Sequence, residues 1–306
     1  MMSDPPVPIA ALDVTADDAA RLRVRRHGRR GGVRLFVCHG NGFATDGYLP
    51  FWAPLLRDFE VVAFDVRNHG HNPLAQPAHH DYPQFARDLA RLRAAIDDAF
   101  GAAPSVGLFH SMSAQIAIKQ VLELGGGWEA LVLFDPPNLP SPDHPAHAPM
   151  AAYEHRLARW AQGRRARFAE PRELAEEYAR TRAAGGWVAG AHELMARSVL
   201  RRDSGADRWV LCCPPELEAA IYLDVITLGL WPRRDDFPFP VKMICADPES
   251  ARPAPTALAN RALANEGGFD YLAIPGTGHL LQLEKPAACT AAVVAFLSAL
   301  GLGSGV

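Results

Sequence analysis

Six short apolar runs, continuous rather than alternating, are the feature that most narrows what this chain can fold into. They are Val33–Cys38, Val61–Asp65, Val106–Phe109, Ala130–Asp135, Val241–Ala246 and Tyr271–Ile274. A strand that is apolar at nearly every position is covered on both faces, which is the condition of strands in a parallel sheet joined by crossover helices. Helical patterns fall between the runs as that architecture requires. Phe85, Leu89, Leu92, Ile96 and Phe100 recur at helical spacing behind Pro83, a first-turn proline. A last helix is expected from Pro286 with Gly301 just past its end. Arg21–His27 alternates and is expected to form an antiparallel edge strand.

The rhythm breaks between about 137 and 236, where no strand signal is evident and helical stretches take over. Tyr153, Leu157, Trp160, Arg164 and Phe168 share one face; Pro171 opens a helix carrying Leu174 and Tyr178; another runs from Pro215 through Ile221, Val225 and Leu228. Proline-rich linkers flank the block. The expected organisation is an α/β core from 1–138 and 236–306, with a helical cap or lid inserted at 139–235.

With 306 residues, 49% of them hydrophobic, the chain can bury one large core. A net charge of −3 gives no electrostatic reason to expect nucleic acid or a membrane surface as partner. Arg156, Arg159, Arg164, Arg165 and Arg167 are followed closely by acidic residues and read as a solvated helix face. Cys38, Cys212, Cys213, Cys245 and Cys289 lack the spacing of a disulfide framework or a zinc site. The N-terminal stretch has no basic region before an apolar one, as a secretory signal would. A cytoplasmic protein without metal or organic cofactor, monomeric or homodimeric, is the expectation.

Three segments carry candidate chemistry. The run Val106–Phe109 leads into His110-Ser111-Met112-Ser113-Ala114 and then a helical pattern, placing Ser111 on a strand-to-helix turn at the carboxyl edge of the sheet, where open α/β sheets bind ligands. The amide of Met112, at a helix N-terminus, points where an oxyanion would form. His39-Gly40-Asn41-Gly42-Phe43 follows the first run, and its glycines permit the close approach that would make the Asn41 amide a second donor. His279 lies on the loop after the last run; a serine hydroxyl needs such a base within hydrogen-bond reach to act as a nucleophile.

Together, HGNGF at 39–43, DVRNHGHN at 65–72, HSMSA at 110–114 and PGTGHLLQLEKP at 275–286 resemble the α/β-hydrolase superfamily in order and spacing. The resemblance covers the chain apart from the helical block, which stands where that family carries its cap. It implies an α/β-hydrolase fold with a mostly parallel central sheet and helices on both faces. It further implies Ser111 as nucleophile, His279 as general base, Asn41 and Met112 amides as oxyanion hole, and His69 and Gly70 in a structural turn. The usual elbow is G-x-S-x-G; here Phe109 and Ser113 occupy the glycine positions, so local repacking around Phe109 is expected. The acid follows the serine and precedes the histidine in this fold, which leaves Glu249, Asp247 and Asp135 as candidates. The first two lie after Val241–Ala246 and are favoured by the family's usual place for the acid. Serine at the elbow speaks against the dehalogenases and epoxide hydrolases of the family, which use aspartate there. The implied substrate is a small-molecule ester or lactone, with Tyr153, Trp160, Trp187, Trp209, Tyr222 and Trp231 available to line a pocket. Perhydrolysis, C–C hydrolysis, hydroxynitrile cleavage and a non-enzymatic ligand receptor are the alternatives.

Overall fold

The computed structural model describes residues 4–203 and 205–303; Met1–Ser3 of the N-terminal stretch lie outside them. The chain first builds β1 (Ala10–Thr15), β2 (Arg21–Gly28), β3 (Arg34–Cys38), β4 (Glu60–Phe64), β5 (Ser105–His110) and β6 (Ala130–Phe134). Three short strands, β7 (Arg167–Phe168), β8 (Leu200–Arg202) and β9 (Trp209–Leu211), pair separately, and β10 (Val241–Cys245) and β11 (Asp270–Ala273) complete the large sheet. Its order is β1-β2-β4-β3-β5-β6-β10-β11. From β4 to β11 every pairing is parallel; β2 runs antiparallel to both β1 and β4. Arg21–Gly28 is therefore antiparallel as expected but interior, because Ala10–Thr15 covers its outer edge. β1 escaped notice because only Val14 of its six residues is buried.

The helices are α1 (Leu49–Trp52), α2 (Tyr82–Phe100), α3 (Met112–Leu124), α4 (His147–Gly163), α5 (Pro171–Arg180), α6 (Ala191–Val199), α7 (Pro215–Leu228), α8 (Pro255–Gly267), α9 (Leu281–Glu284) and α10 (Pro286–Ala299). Asp81 starts α2 by accepting the Gln84 amide on its side chain, with Pro83 in the first turn. Gly301, at φ +71°, follows the C-cap of α10 as anticipated. One face of the sheet packs on α1, α9 and α10 through Phe51, Trp52, Leu281 and Val293. The other packs on α2 and α3 through Phe85, Leu89, Ile116 and Val121. No described helix is long and apolar enough to cross a membrane.

Between β6 and β10 the chain forms α4–α7 and the three-stranded sheet β7-β9-β8. The short strands correct the expectation of a purely helical block; at two or three residues each they are too brief to leave an alternating pattern. Phe168 accordingly lies in β7, outside α4, which ends at Gly163. Much of the block shares the core of the sheet: Leu174, Tyr178, Trp187, Leu194 and Met195 belong to the same apolar cluster as Leu35 and Phe51, while Ala158, Ala161 and Ala219 form a small cluster between α4 and α7. Arg164 also departs from the solvated face assigned to it. It is almost wholly buried in an ion pair with Glu218 of α7, an arrangement in which removing either partner alone typically costs about 3–5 kcal/mol.

Five histidines are buried: His27, His39, His69, His80 and His110. In each case burial is the main force pushing the imidazole below its ordinary range, to about 4 for His27 and about 3 for His80 and His110. Their folded pKa values lie below the unfolded one, so as pH falls below about 6.5 the unfolded chain takes up protons that the folded one refuses. Stability is thus full above that pH and is lost progressively down to the folded values, by about 2 kcal/mol at pH 5 for each of His27, His80 and His110. Urea denaturation between pH 7 and pH 5 should show a steep fall in midpoint; an unchanged midpoint would contradict this account. His27 lies tilted against Trp52 with neither ring nitrogen partnered among the described residues, so Phe loses no hydrogen bond there. His27→Phe should flatten the pH dependence by about one histidine's share, roughly 2 kcal/mol.

Candidate active site

Parallel strands deliver their carboxyl ends to one edge, and the candidate residues gather there. β5 ends at His110, and Ser111 follows with φ 52° and ψ −115°, a backbone conformation that costs a non-glycine residue about 1–3 kcal/mol. The turn persists because its surroundings fix it. The Ser111 amide donates to the Phe134 carbonyl at 2.9 Å, extending the β5–β6 ladder by one bond, while the Ser111 carbonyl accepts from the amides of Ala114 and Gln115. Ser113 Oγ accepts the His110 amide at 2.9 Å and donates back to the His110 carbonyl at 3.0 Å.

The two departures from the G-x-S-x-G pattern have a steric explanation. Phe109 is fully buried, edge-on to Trp128 and Phe64. Its ring occupies the space that a side chain at position 107 would need: a Cβ on Gly107 would stand 2.2 Å from the Phe109 ring and 2.6 Å from Leu131. The glycine missing from 109 is matched by one two residues earlier on the same face of β5. Ser113 is small and spends its hydroxyl tying the turn together.

His279, on the loop after β11, brings Nε2 to 3.0 Å from Ser111 Oγ, and its Nδ1 donates to Asp135 Oδ2 at 2.6 Å. Asp135 directly follows β6, the strand next to β5, at φ 40°. Its buried carboxylate also accepts Thr256 Oγ1 at 2.6 Å, Asn260 Nδ2 at 3.1 Å and the Ala246 amide at 3.2 Å. Burial raises its pKa, but His279, Thr256 and the Ala246 amide more than offset this and hold it below the ordinary carboxylate value.

The structure places Asp135 against His279, and not Glu249 or Asp247, which the sequence favoured as the acid. Asp247 takes the Gly276 amide on Oδ2 at 2.7 Å and the Glu249 amide on Oδ1 at 2.8 Å, while Glu249 pairs with Arg261 on the exposed surface. Both follow β10, two strands from β5, so at about 4.8 Å per strand they start twice as far away as Asp135. Asp247 serves the His279 loop by bracing its start, and Glu284 braces its middle by accepting the Gly278 amide at 2.8 Å.

The segment 39–43 lies beside Ser111: a Cβ on Gly40 would sit 3.2 Å from Ser111 Cβ. His39 is buried, donating Nδ1–H to the Gly40 carbonyl and accepting the Val66 amide on Nε2. His69, expected in a structural turn, reaches this segment too, accepting the Gly42 amide at 3.2 Å. Gly42, at φ +73°, lies directly under the Glu218 carboxylate, 2.3 Å from where its Cβ would stand, so only glycine fits. Asn41 Nδ2 donates to the Glu218 carbonyl at 2.8 Å. Met112 opens α3, so its amide has no acceptor within the helix.

Of the aromatic residues expected to line a pocket, Trp187 packs on Phe43 at 6.0 Å and on Tyr178 at 5.5 Å. Trp160 instead lies exposed beside Arg164, and Trp231 bonds Glu266 at the surface. A surface cleft of about 630 Å³ lies away from this site, lined by Arg21, Arg23, Arg197 and Arg201 and matched by Asp4, Asp13 and Asp46. Sequence reasoning passed over Tyr48, His110, Thr256 and Asn260 as part of the site's framework. Only His110 had a signal, its place next to Ser111.

Solved structures share this architecture. A crystal structure of E-2-(acetamidomethylene)succinate hydrolase superposes with a TM-score of 0.74 at 18% identity, covering 94% of this chain and 99% of that one. A thermophilic esterase from Thermogutta terrifontis, malate bound, gives 0.66 at 20% identity over 95% and 99%. An esterase from Exiguobacterium antarcticum gives 0.67 at 14% identity over 94% and 98%. The sequence itself matches the alpha/beta hydrolase family over residues 35–292. With that match, a mostly parallel eight-stranded sheet and helices on both faces, the chain belongs to the alpha/beta hydrolase family.

Proposed function

We propose that this protein is a serine hydrolase that cleaves a carboxylic ester or lactone through an acyl-enzyme. The observation that carries the proposal is the continuous hydrogen-bonded line from Ser111 Oγ through His279 to Asp135, at 3.0 and 2.6 Å. Nδ1–H pointing at Asp135 leaves the Nε2 lone pair facing the serine hydroxyl, as general-base catalysis requires.

In the proposed reaction Ser111 Oγ attacks the substrate carbonyl while its proton passes to His279 Nε2. Asp135 stays ionised and stabilises the imidazolium. The amides of Asn41 and Met112 take the tetrahedral oxyanion, each such donor being worth on the order of 10²–10³ in rate. His279 returns the proton to the departing alkoxide, leaving the acyl group on Ser111. Water, deprotonated by the same imidazole, then attacks the acyl carbon and releases the acid and the free serine. The two esterases among the structural neighbours fit this reading. The base aligned on the strained serine favours a hydrolase over a ligand receptor on the same scaffold, and Gly107 accommodates Phe109, the irregularity that prompted that alternative.

Fluorophosphonate labelling tests the proposal directly. Wild type should be labelled and Ser111→Ala should not; an unlabelled wild type that binds a small ligand tightly would support the receptor. p-Nitrophenyl esters of graded length and a panel of lactones then define the substrate. The acid is tested separately. Asp135→Asn should lower kcat by about 10⁴ with the fold intact, because an amide no longer holds the imidazole in the required tautomer. Asp247→Asn and Glu249→Gln should keep kcat within a few-fold, and the opposite ranking would return the role to the loop after β10.

A further inference from the structure

We propose that His110 is a positioning residue whose single imidazole joins the three segments of the proposed catalytic site, so that the rate of acylation at Ser111 depends on it. The inference rests on the serine hydrolase reading above. His110 is wholly buried and immediately precedes the proposed nucleophile. Its Nδ1 accepts the Tyr48 hydroxyl at 2.8 Å, and its Nε2–H donates to the backbone carbonyl of His279 at 2.9 Å. The Tyr48 hydroxyl in turn accepts the Gly40 amide at 3.3 Å. Donation therefore runs one way, from the Gly40 amide to Tyr48, from Tyr48 to His110, and from His110 to His279.

Each step fixes the next. The Tyr48 proton is directed at Nδ1, which places the imidazole proton on Nε2, the only tautomer able to donate to the His279 carbonyl. Burial and the neighbouring His279 hold His110 neutral, with its pKa down at about 3, so the tautomer persists across the working pH range. The bond on the His279 carbonyl fixes the backbone from which the proposed base projects, and the two rings lie 4.9 Å apart. The far end of the chain fixes Gly40, one residue before the proposed oxyanion donor Asn41. Nucleophile strand, base loop and oxyanion segment are thus referenced to one side chain. Displacement of a reacting group by about 1 Å costs on the order of 10² in rate, which sets the scale of the expected effect.

The test compares His110→Leu, His110→Gln and Tyr48→Phe. Fluorophosphonate titration counts competent serines, and single-turnover acylation by p-nitrophenyl acetate gives the rate per competent serine. Leu removes both bonds; Gln reaches the Nε2 position and keeps an N–H for the His279 carbonyl. His110→Leu should lower the rate per competent serine by about 10–100-fold with KM changed less than about threefold. His110→Gln should recover most of that loss, Tyr48→Phe should fall between, and adding Tyr48→Phe to His110→Leu should cost less than Tyr48→Phe costs alone, because only the Gly40 bond is left to lose. A purely structural role would reduce the number of competent serines and the melting temperature but leave the rate per serine unchanged, and that result overturns the proposal. If His110→Leu does not fold, Tyr48→Phe and His110→Gln decide: both at the wild-type rate overturns it, and a slowed Tyr48→Phe upholds it. A wild type that is never labelled at Ser111 overturns the hydrolase reading and this inference together, whereas a labelled wild type matched by His110→Leu overturns this inference alone.

Discussion

The buried Asp135 carboxylate is the point on which the arrangement above the sheet depends. Taking an ionised carboxylate out of water costs several kcal/mol unless donors replace the lost hydration. Here four do so: Thr256 and Asn260 from α8, the Ala246 amide from the end of β10, and His279 from the loop after β11. Asn260 also accepts from Asn138, which accepts from Gln115 of α3, so the network leads back to the helix that Ser111 begins. Elements far apart in sequence are thereby obliged to meet at one charge. The order of the sheet makes this feasible, because β5, β6 and β10 are consecutive neighbours and end at the same edge.

The elbow shows that a motif can be absent in letters while its physical demand is met. A strained turn needs space on both sides of the serine. On the strand side that space comes from Gly107, two residues before the usual position, which lets the Phe109 ring fold along the strand. On the helix side Ser113 is small enough and adds hydrogen bonds that a glycine would not. The conformational cost at Ser111 is thus offset by local bonds without the usual pair of glycines.

Much of the fold was legible in the sequence because burial on both faces leaves continuous apolar runs, and all six became strands of the large sheet. Apart from α8, whose buried face is mostly small or polar residues, what escaped was short or mostly exposed. β1 buries only Val14, β7–β9 are two or three residues each, and α6 presents Ala, Leu, Met and Val over only nine residues. At the candidate site, Ser111 was marked by its strand-to-helix turn and His279 by a glycine-bearing loop after a strand, and the structure brings them together. The carboxylate that meets His279 did not, since carboxylates at strand ends are common and their reach depends on strand order, which sequence alone does not specify. Asp135 was third among three candidates although it follows the strand beside β5. Arg164 failed for a related reason: its neighbours in sequence are solvated, and the Glu218 that buries it lies 54 residues on.

That buried pair also bears on how substrate choice and chemistry are joined. Glu218 holds the 39–43 segment from the inserted block, through its carbonyl on Asn41 and its carboxylate over Gly42. His69 holds the same segment from the core by accepting the Gly42 amide. Phe43, next in sequence, packs on Tyr178 and Trp187 of the block. In the proposed mechanism the direction of the Asn41 amide is therefore set from both sides at once. A displacement of α7 sufficient to admit a larger substrate would strip the Glu218 carboxylate of Arg164, release Gly42, or both. In that mechanism the inserted block would both border the substrate and steady a group that stabilises the transition state, the two tasks meeting at one buried ion pair.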